Sequence, residues 1–118
     1  MPDQLNCISP LDGRYSKDVA VLSHYFSESA LMRYRLQVEV EYLIALSNEK
    51  KIAALPPIPN TIQTTLRKLY EKFDSKAARR IKKIETQTNH DVKAIEQYFG
   101  EKLHKINISK FIPWVHFA

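Results

Sequence analysis

From Ser27 to about Lys50 the chain contains no glycine and no proline, while Leu31, Tyr34, Val38, Tyr42, Ala45 and Leu46 recur at spacings of three and four. Positions three or four apart share one face of an α-helix, so this spacing predicts a long helix with that stripe inward. Val40, Leu43 and Ile44 widen the apolar surface, which predicts contact on more than one side. Ser27 or Ser29 suits the cap, with Glu28 near the positive end of the helix dipole.

The same period continues downstream. Leu55-Pro56-Pro57-Ile58-Pro59 stops the first helix, because proline lacks an amide donor and restricts the residue before it. Asn60 followed by Gln63 reads as a capping box opening a helix to about Phe73, with Ile62, Leu66, Leu69 and Phe73 on one face. Asp74-Ser75 allows a bend. A third helix is predicted from about Lys76 to Glu85, with Ile81 and Ile84 inward, and polar Thr86-Gln87-Thr88-Asn89 interrupts the pattern. Asp91 then stands as an N-cap or first-turn carboxylate for a helix through Val92, Ile95, Tyr98 and Phe99 to about Lys102. A short early helix is expected from Ser16 to His24. No strand-like alternation runs long enough to build a sheet. The expected fold is all-α, a packed cluster of helices forming one domain over residues 1–118, since a chain of 118 residues with 44% hydrophobic content supports one modest core.

Composition narrows the function. With Gly13 and Gly100 as the only glycines, a Rossmann or P-loop phosphate cradle is excluded. The single Cys7 excludes a disulfide framework and a four-cysteine zinc site, and suits a reducing compartment. The four histidines show no zinc-ligand spacing. No segment approaches the ~18 uninterrupted apolar residues of a membrane helix, and Met1-Pro2-Asp3-Gln4 lacks the start of a signal peptide. A soluble cytoplasmic protein is expected. The apolar-aromatic run Phe111–Ala118 ends without a polar tail, which suggests an interior passage and hence the front part of a longer protein.

Two runs concentrate the chemistry. In Ser9-Pro10-Leu11-Asp12-Gly13-Arg14-Tyr15, Pro10 and Gly13 make a defined turn. Arg14 presents a fork of donors suited to carboxylate or phosphate, with the Tyr15 hydroxyl beside it. In Thr88-Asn89-His90-Asp91-Val92-Lys93-Ala94, a helix start offers free amides to an anion. Asn89 both donates and accepts, His90 carries a proton near neutral pH, and Asp91 caps the helix or orients a neighbour. Taken alone, these residues are more simply a surface turn with an incidental arginine and an ordinary N-cap with an exposed histidine. His116, between Trp114 and Phe117, reads first as a packing residue, and His24 and His104 as surface or packing residues.

The net charge of +5 admits nucleic acid, a phosphorylated metabolite or an acidic partner. Lys76, Arg79, Arg80 and Lys83 share one helical face opposite Ile81 and Ile84. A solvated face is the simpler reading. The alternative is a small basic helical module that binds nucleic acid or an acidic protein partner through those four side chains.

Ser9–Tyr15, then Phe26-Ser27-Glu28, then Arg35-Leu36-Gln37-Val38-Glu39-Val40-Glu41, then Thr88–Ala94 and finally His116-Phe117-Ala118 resemble the adenylosuccinate lyase family of the fumarase/aspartase superfamily, in that family's order and approximate spacing. The resemblance spans essentially the whole chain and implies the helical N-terminal domain of such a lyase, with the central bundle and C-terminal domain absent. It implies β-elimination of fumarate from adenylosuccinate, giving AMP, and from the succinyl-carboxamide ribotide of purine synthesis. It further implies no metal or organic cofactor, and a cytoplasmic homotetramer whose active sites each draw on three subunits. The implied ligand is a small-molecule succinylated purine nucleotide, with neither nucleic acid nor membrane as partner. Position by position, Arg14 and Tyr15 match the pair that binds the nucleotide, chiefly its phosphate. Asn89, His90 and Asp91 match the substrate-contacting triplet, and His116 matches a histidine beside the nucleotide site. The family's Thr-Ser-Glu-Asp segment, general-acid histidine and serine base have no counterpart among these residues. No catalytic residue is therefore assigned, and the chain alone is expected to be inactive.

Overall fold

The computed structural model describes residues 3–117, so Met1 and Pro2 of the N-terminal reading and Ala118 of the terminal aromatic run lie outside it. The described residues form helices and turns without a strand. The all-α expectation holds. No helix among them is long and apolar enough to cross a membrane. Two compact units emerge, Met1–Leu31 and Met32–Ala118.

In the first unit, Asp3 caps a 3-10 turn, Gln4–Asn6, by accepting from the Leu5 amide at 3.1 Å. The predicted early helix is broken into α1, Ser16–Val19, a 3-10 turn, Ala20–Leu22, and α2, Ser23–Phe26. Neither short helix has a side-chain cap, and no residue of this unit enters the buried apolar cluster. Without such burial nothing offsets the cost of nucleating a longer helix.

The long helix α3, Glu28–Ser47, starts where the sequence indicated. Ser27 Oγ accepts from the Ala30 amide at 3.0 Å, which selects Ser27 over Ser29 as the cap. The inward stripe is different from the one expected. Met32, Leu36, Val40, Leu43 and Ile44 are buried, whereas Leu31, Tyr34, Val38 and Tyr42 are exposed. Both stripes have helical spacing, so the period alone cannot choose between them. The buried stripe has no hydroxyl-bearing aromatic, while the tyrosines of the other keep their polar tips at the surface.

In the second unit the loop after α3 plugs Leu55 and Ile58 into the core from either side of Pro56-Pro57. Helix α4, Asn60–Glu71, has no side-chain cap. Pro59 occupies the cap position, and Gln63 Nε2 donates to the Ile58 carbonyl at 2.9 Å. The expected capping box is thus absent because the helix starts one residue early for it. Helix α5, Ser75–Thr88, is capped by Asp74, whose Oδ1 accepts from the Ala77 amide at 2.9 Å. Thr86-Gln87-Thr88 extend this helix rather than interrupting it; the stop is Asn89, left-handed at φ 51°. Helix α6, Asp91–Lys105, buries Ile95, Tyr98, Phe99 and Leu103 against α5 and the 3-10 turn Ser109–Trp114. Phe99 and Leu36 are fully enclosed, and burying each such side chain stabilises by roughly 1.5–3 kcal/mol.

Candidate functional site

In the first unit, Asp12 holds the Ser9–Tyr15 turn from within. Its carboxylate accepts from the Ser9 amide at 2.9 Å and the Ile8 amide at 3.3 Å. The Pro10 carbonyl accepts from the amides of Gly13 and Tyr15 at 3.3 and 2.8 Å. Gly13 does not supply a left-handed backbone, contrary to the permissive role expected of it. It supplies room: a Cβ there would stand 2.7 Å from the Gln4 carbonyl oxygen. Arg14 and Tyr15 emerge exposed from this turn, with the guanidinium carbon 5.2 Å from the phenol ring centroid.

In the second unit, the α5–α6 corner presents Asn89, His90 and Asp91 in succession. His90, rather than Asp91, is the N-cap. Its Nδ1 accepts from the Lys93 amide at 3.2 Å and its carbonyl from Ala94 at 3.1 Å. Thr88 Oγ1 accepts from the His90 amide at 3.2 Å, closing the corner. With Nδ1 committed as acceptor, the ring proton sits on Nε2, where an exposed imidazole offers a donor. Asp91 occupies the first helical position and orients a neighbour: its Oδ2 meets Arg35 Nη1 at 2.7 Å. The Arg35 guanidinium, helped by the Val92 amide, holds the Asp91 carboxyl below its usual range.

One turn along α3 from Arg35 stands Glu39, inside the Arg35–Glu41 motif. Its Oε1 lies 2.6 Å from His116 Nδ1, and Glu96 Oε1 of α6 lies 3.5 Å from the same nitrogen. Glu39 is 7% exposed, and its Oε2 has no hydrogen-bond partner among the described residues. The hydrogen bond to Glu39, reinforced by Glu96, raises the His116 pKa. His116 adopts φ 56°, and Tyr42 donates from its hydroxyl to the adjoining Phe117 carbonyl at 2.7 Å. Val38, Glu39, Tyr42, His116 and Phe117 line a cavity of about 220 Å³. His116 is therefore more than the packing residue its aromatic neighbours suggested.

Arg35 and Glu39, four residues apart on α3, thus tie down Asp91 and His116 respectively. Of the six site residues proposed from sequence, Arg14 and Tyr15 emerge from a turn that Asp12 holds, Asn89, His90 and Asp91 from the corner tied to Arg35, and His116 is held by Glu39 of α3. The second unit alone brings the last four onto elements stitched to one helix edge. Arg35, Glu39 and Glu96 were missed as site-building residues. The available signal was a pair of opposite charges, Arg35 and Glu39, four apart on one helix.

A third ion pair on α3 is structural. Arg67 of α4 grips Glu41 with Nε at 3.0 Å and Nη2 at 3.1 Å, and the Tyr70 hydroxyl adds a bond at 3.0 Å. Arg67 is the main cause of the lowered Glu41 pKa.

No family model matches the chain. Among curated proteins, it is 44% identical over 98% of its length to an adenylosuccinate lyase from Dictyostelium discoideum, covering 26% of that protein. It is 41% identical over 97% of its length to the adenylosuccinate lyase of Legionella pneumophila (strain Corby), covering 25% of it. The Escherichia coli (strain K12) adenylosuccinate lyase is 38% identical over 97% of the chain and is covered to 25%. The chain therefore spans about a quarter of the length of the curated relatives it matches.

Proposed function

From its homology to adenylosuccinate lyases over nearly all its residues, we propose that this chain is the substrate-gripping N-terminal part of such an enzyme. The reaction is β-elimination of fumarate from adenylosuccinate, and from the corresponding succinyl-carboxamide ribotide. The observation that carries this reading is the α3 edge, where Arg35 and Glu39 tether the Asn89-His90-Asp91 corner and His116.

Such a substrate bears a phosphate and two carboxylates. Arg14 and Tyr15 form the phosphate receptor: a guanidinium fork and a hydroxyl match its oxygens. The His90 Nε2–H donates to the succinyl end, and Asn89 beside it supplies an amide donor and acceptor. Removing the proton next to a carboxylate builds negative charge there, and fixed donors stabilise that charge without reorganising. Asp91 aligns this corner through Arg35, and His116 lies beside the nucleotide. The proton-transfer pair comes from elsewhere in the enzyme, so the chain alone does not turn over. The working assembly is a cytoplasmic homotetramer needing no metal or organic cofactor, with neither nucleic acid nor membrane as partner.

The test is a chimera in which this chain replaces the matching segment of the Escherichia coli relative. Cleavage of adenylosuccinate by the chimera, with none by the isolated chain, is expected. Turnover by the isolated chain, or a folded tetrameric chimera with no affinity for adenylosuccinate, refutes the reading.

A further inference from the structure

The cations that the sequence grouped on one face of α5 do not act together. Lys76 and Arg80 turn toward a groove of about 540 Å³ shared with Lys68 of α4, Lys72 just after it, and Lys102 and Lys105 of α6. Six cations meet two carboxylates there, Asp74 and Glu101, and both carboxylates are already engaged. Asp74 caps α5 at the Ala77 amide. Glu101 takes the Arg80 fork, with Nε at 3.1 Å. Lys68, Lys72, Lys76 and Lys105 form no ion pair among the described residues. Lys102 stands 5.2 Å from the Tyr98 ring centroid. Four net positive charges, set against +5 for the whole chain, thus share one concavity. Converging like charges oppose folding unless an anion offsets them.

From this geometry we infer that the groove binds a linear chain of phosphates, either free or as the tail of a nucleotide. Ammonium groups on flexible stems act as point charges that phosphate oxygens accept from any direction. A carboxylate-rich peptide favours an open arginine fork, and the only arginine here is taken by Glu101. A single-stranded nucleic acid favours exposed aromatic platforms, yet Tyr98 is 4% exposed with Lys102 across its ring. The volume suits a small ligand. This site does not depend on the proposed lyase role, since Lys105 and Asp91 stand at opposite ends of α6.

The test is calorimetric titration of the 118-residue chain with sodium tripolyphosphate, with amide shift mapping by NMR. Expected is one site, shifts confined to the facing parts of α4, α5 and α6, and affinity that falls with added salt. Lys72→Glu with Lys105→Glu weakens binding by about tenfold or more. Lys50→Glu with Lys51→Glu, which changes net charge equally outside the groove, leaves it intact. Adenosine triphosphate binding more tightly than tripolyphosphate assigns the nucleotide as source, and equal binding assigns the phosphate chain alone. Any of three results overturns the inference: no binding at low ionic strength, equal weakening by the Lys50/Lys51 pair, or equal affinity for polyglutamate or oligothymidylate of matched charge.

Discussion

At the scale of single residues, His116 and Glu39 are interdependent. Glu39 is nearly enclosed, with one oxygen unpartnered among the described residues, so His116→Ala leaves a buried carboxylate without its donor and costs about 1–3 kcal/mol. Glu39, Glu96 and the Tyr42 hydroxyl surround this end of the chain, and the carboxylates raise the His116 pKa above its ordinary value of about 6.5. A histidine whose folded pKa is raised contributes stability that is complete below the unfolded value and fades as pH rises through the folded one. Chemical denaturation followed across that window therefore shows declining stability with pH, and Glu39→Gln flattens the decline. An NMR titration in which His116 responds identically in the wild type and in Glu39→Gln contradicts the pairing.

His90 has a different duality, because one ring nitrogen caps α6 and the other faces outward. Asparagine caps helices well, so His90→Asn keeps stability to within about 0.5 kcal/mol, whereas His90→Ala loses about 0.5–2 kcal/mol. Thermal unfolding of the two variants separates the cap from the imidazole.

At the scale of elements, caps and stripes decide what the sequence made legible. Asp74→Ala removes a cap bond and costs about 1 kcal/mol, while Asn60→Ala, which loses no cap, stays within about 0.5 kcal/mol. Likewise Leu36→Ala costs about 2–5 kcal/mol and Val38→Ala less than about 0.5 kcal/mol, as urea unfolding would measure. Helix existence was readable wherever apolar spacing was long and uninterrupted, as in α3 and α6. Which stripe of α3 faces inward was not, because an apolar helix surface satisfies two stripes at once and only tertiary packing selects one. The end of α5 was misjudged because polar Thr86-Gln87-Thr88 solvate a helical turn as readily as a loop. The motif residues were visible in the sequence as positions bearing hydrogen-bond donors and acceptors. The use of His90 as a cap was hidden, since helix-start rules favour the carboxylate of Asp91 next to it. Glu39 was hidden by its partner, since Glu39 and His116 are joined only once α3 and the terminal turn have packed.

At the scale of the whole molecule, most burial belongs to the second unit, whose apolar cluster contains no residue before Met32. The first unit contributes a turn built by Asp12 and presents Arg14 and Tyr15 from it. The basic groove between α4, α5 and α6 is chemically distinct from the positions of Arg14 and His90, with ammonium groups in place of a guanidinium and an imidazole.

We propose that Arg14 and His90 each contact the succinylated purine nucleotide in the assembled lyase. Steady-state kinetics of the chimeric lyase separates this from a purely structural role, comparing wild type with Arg14→Ala and His90→Asn. Each substitution is expected to lower kcat/KM for adenylosuccinate by about 10²-fold or more while the assembly stays folded. Folded chimeras that keep their full kcat/KM with either substitution rule the proposal out.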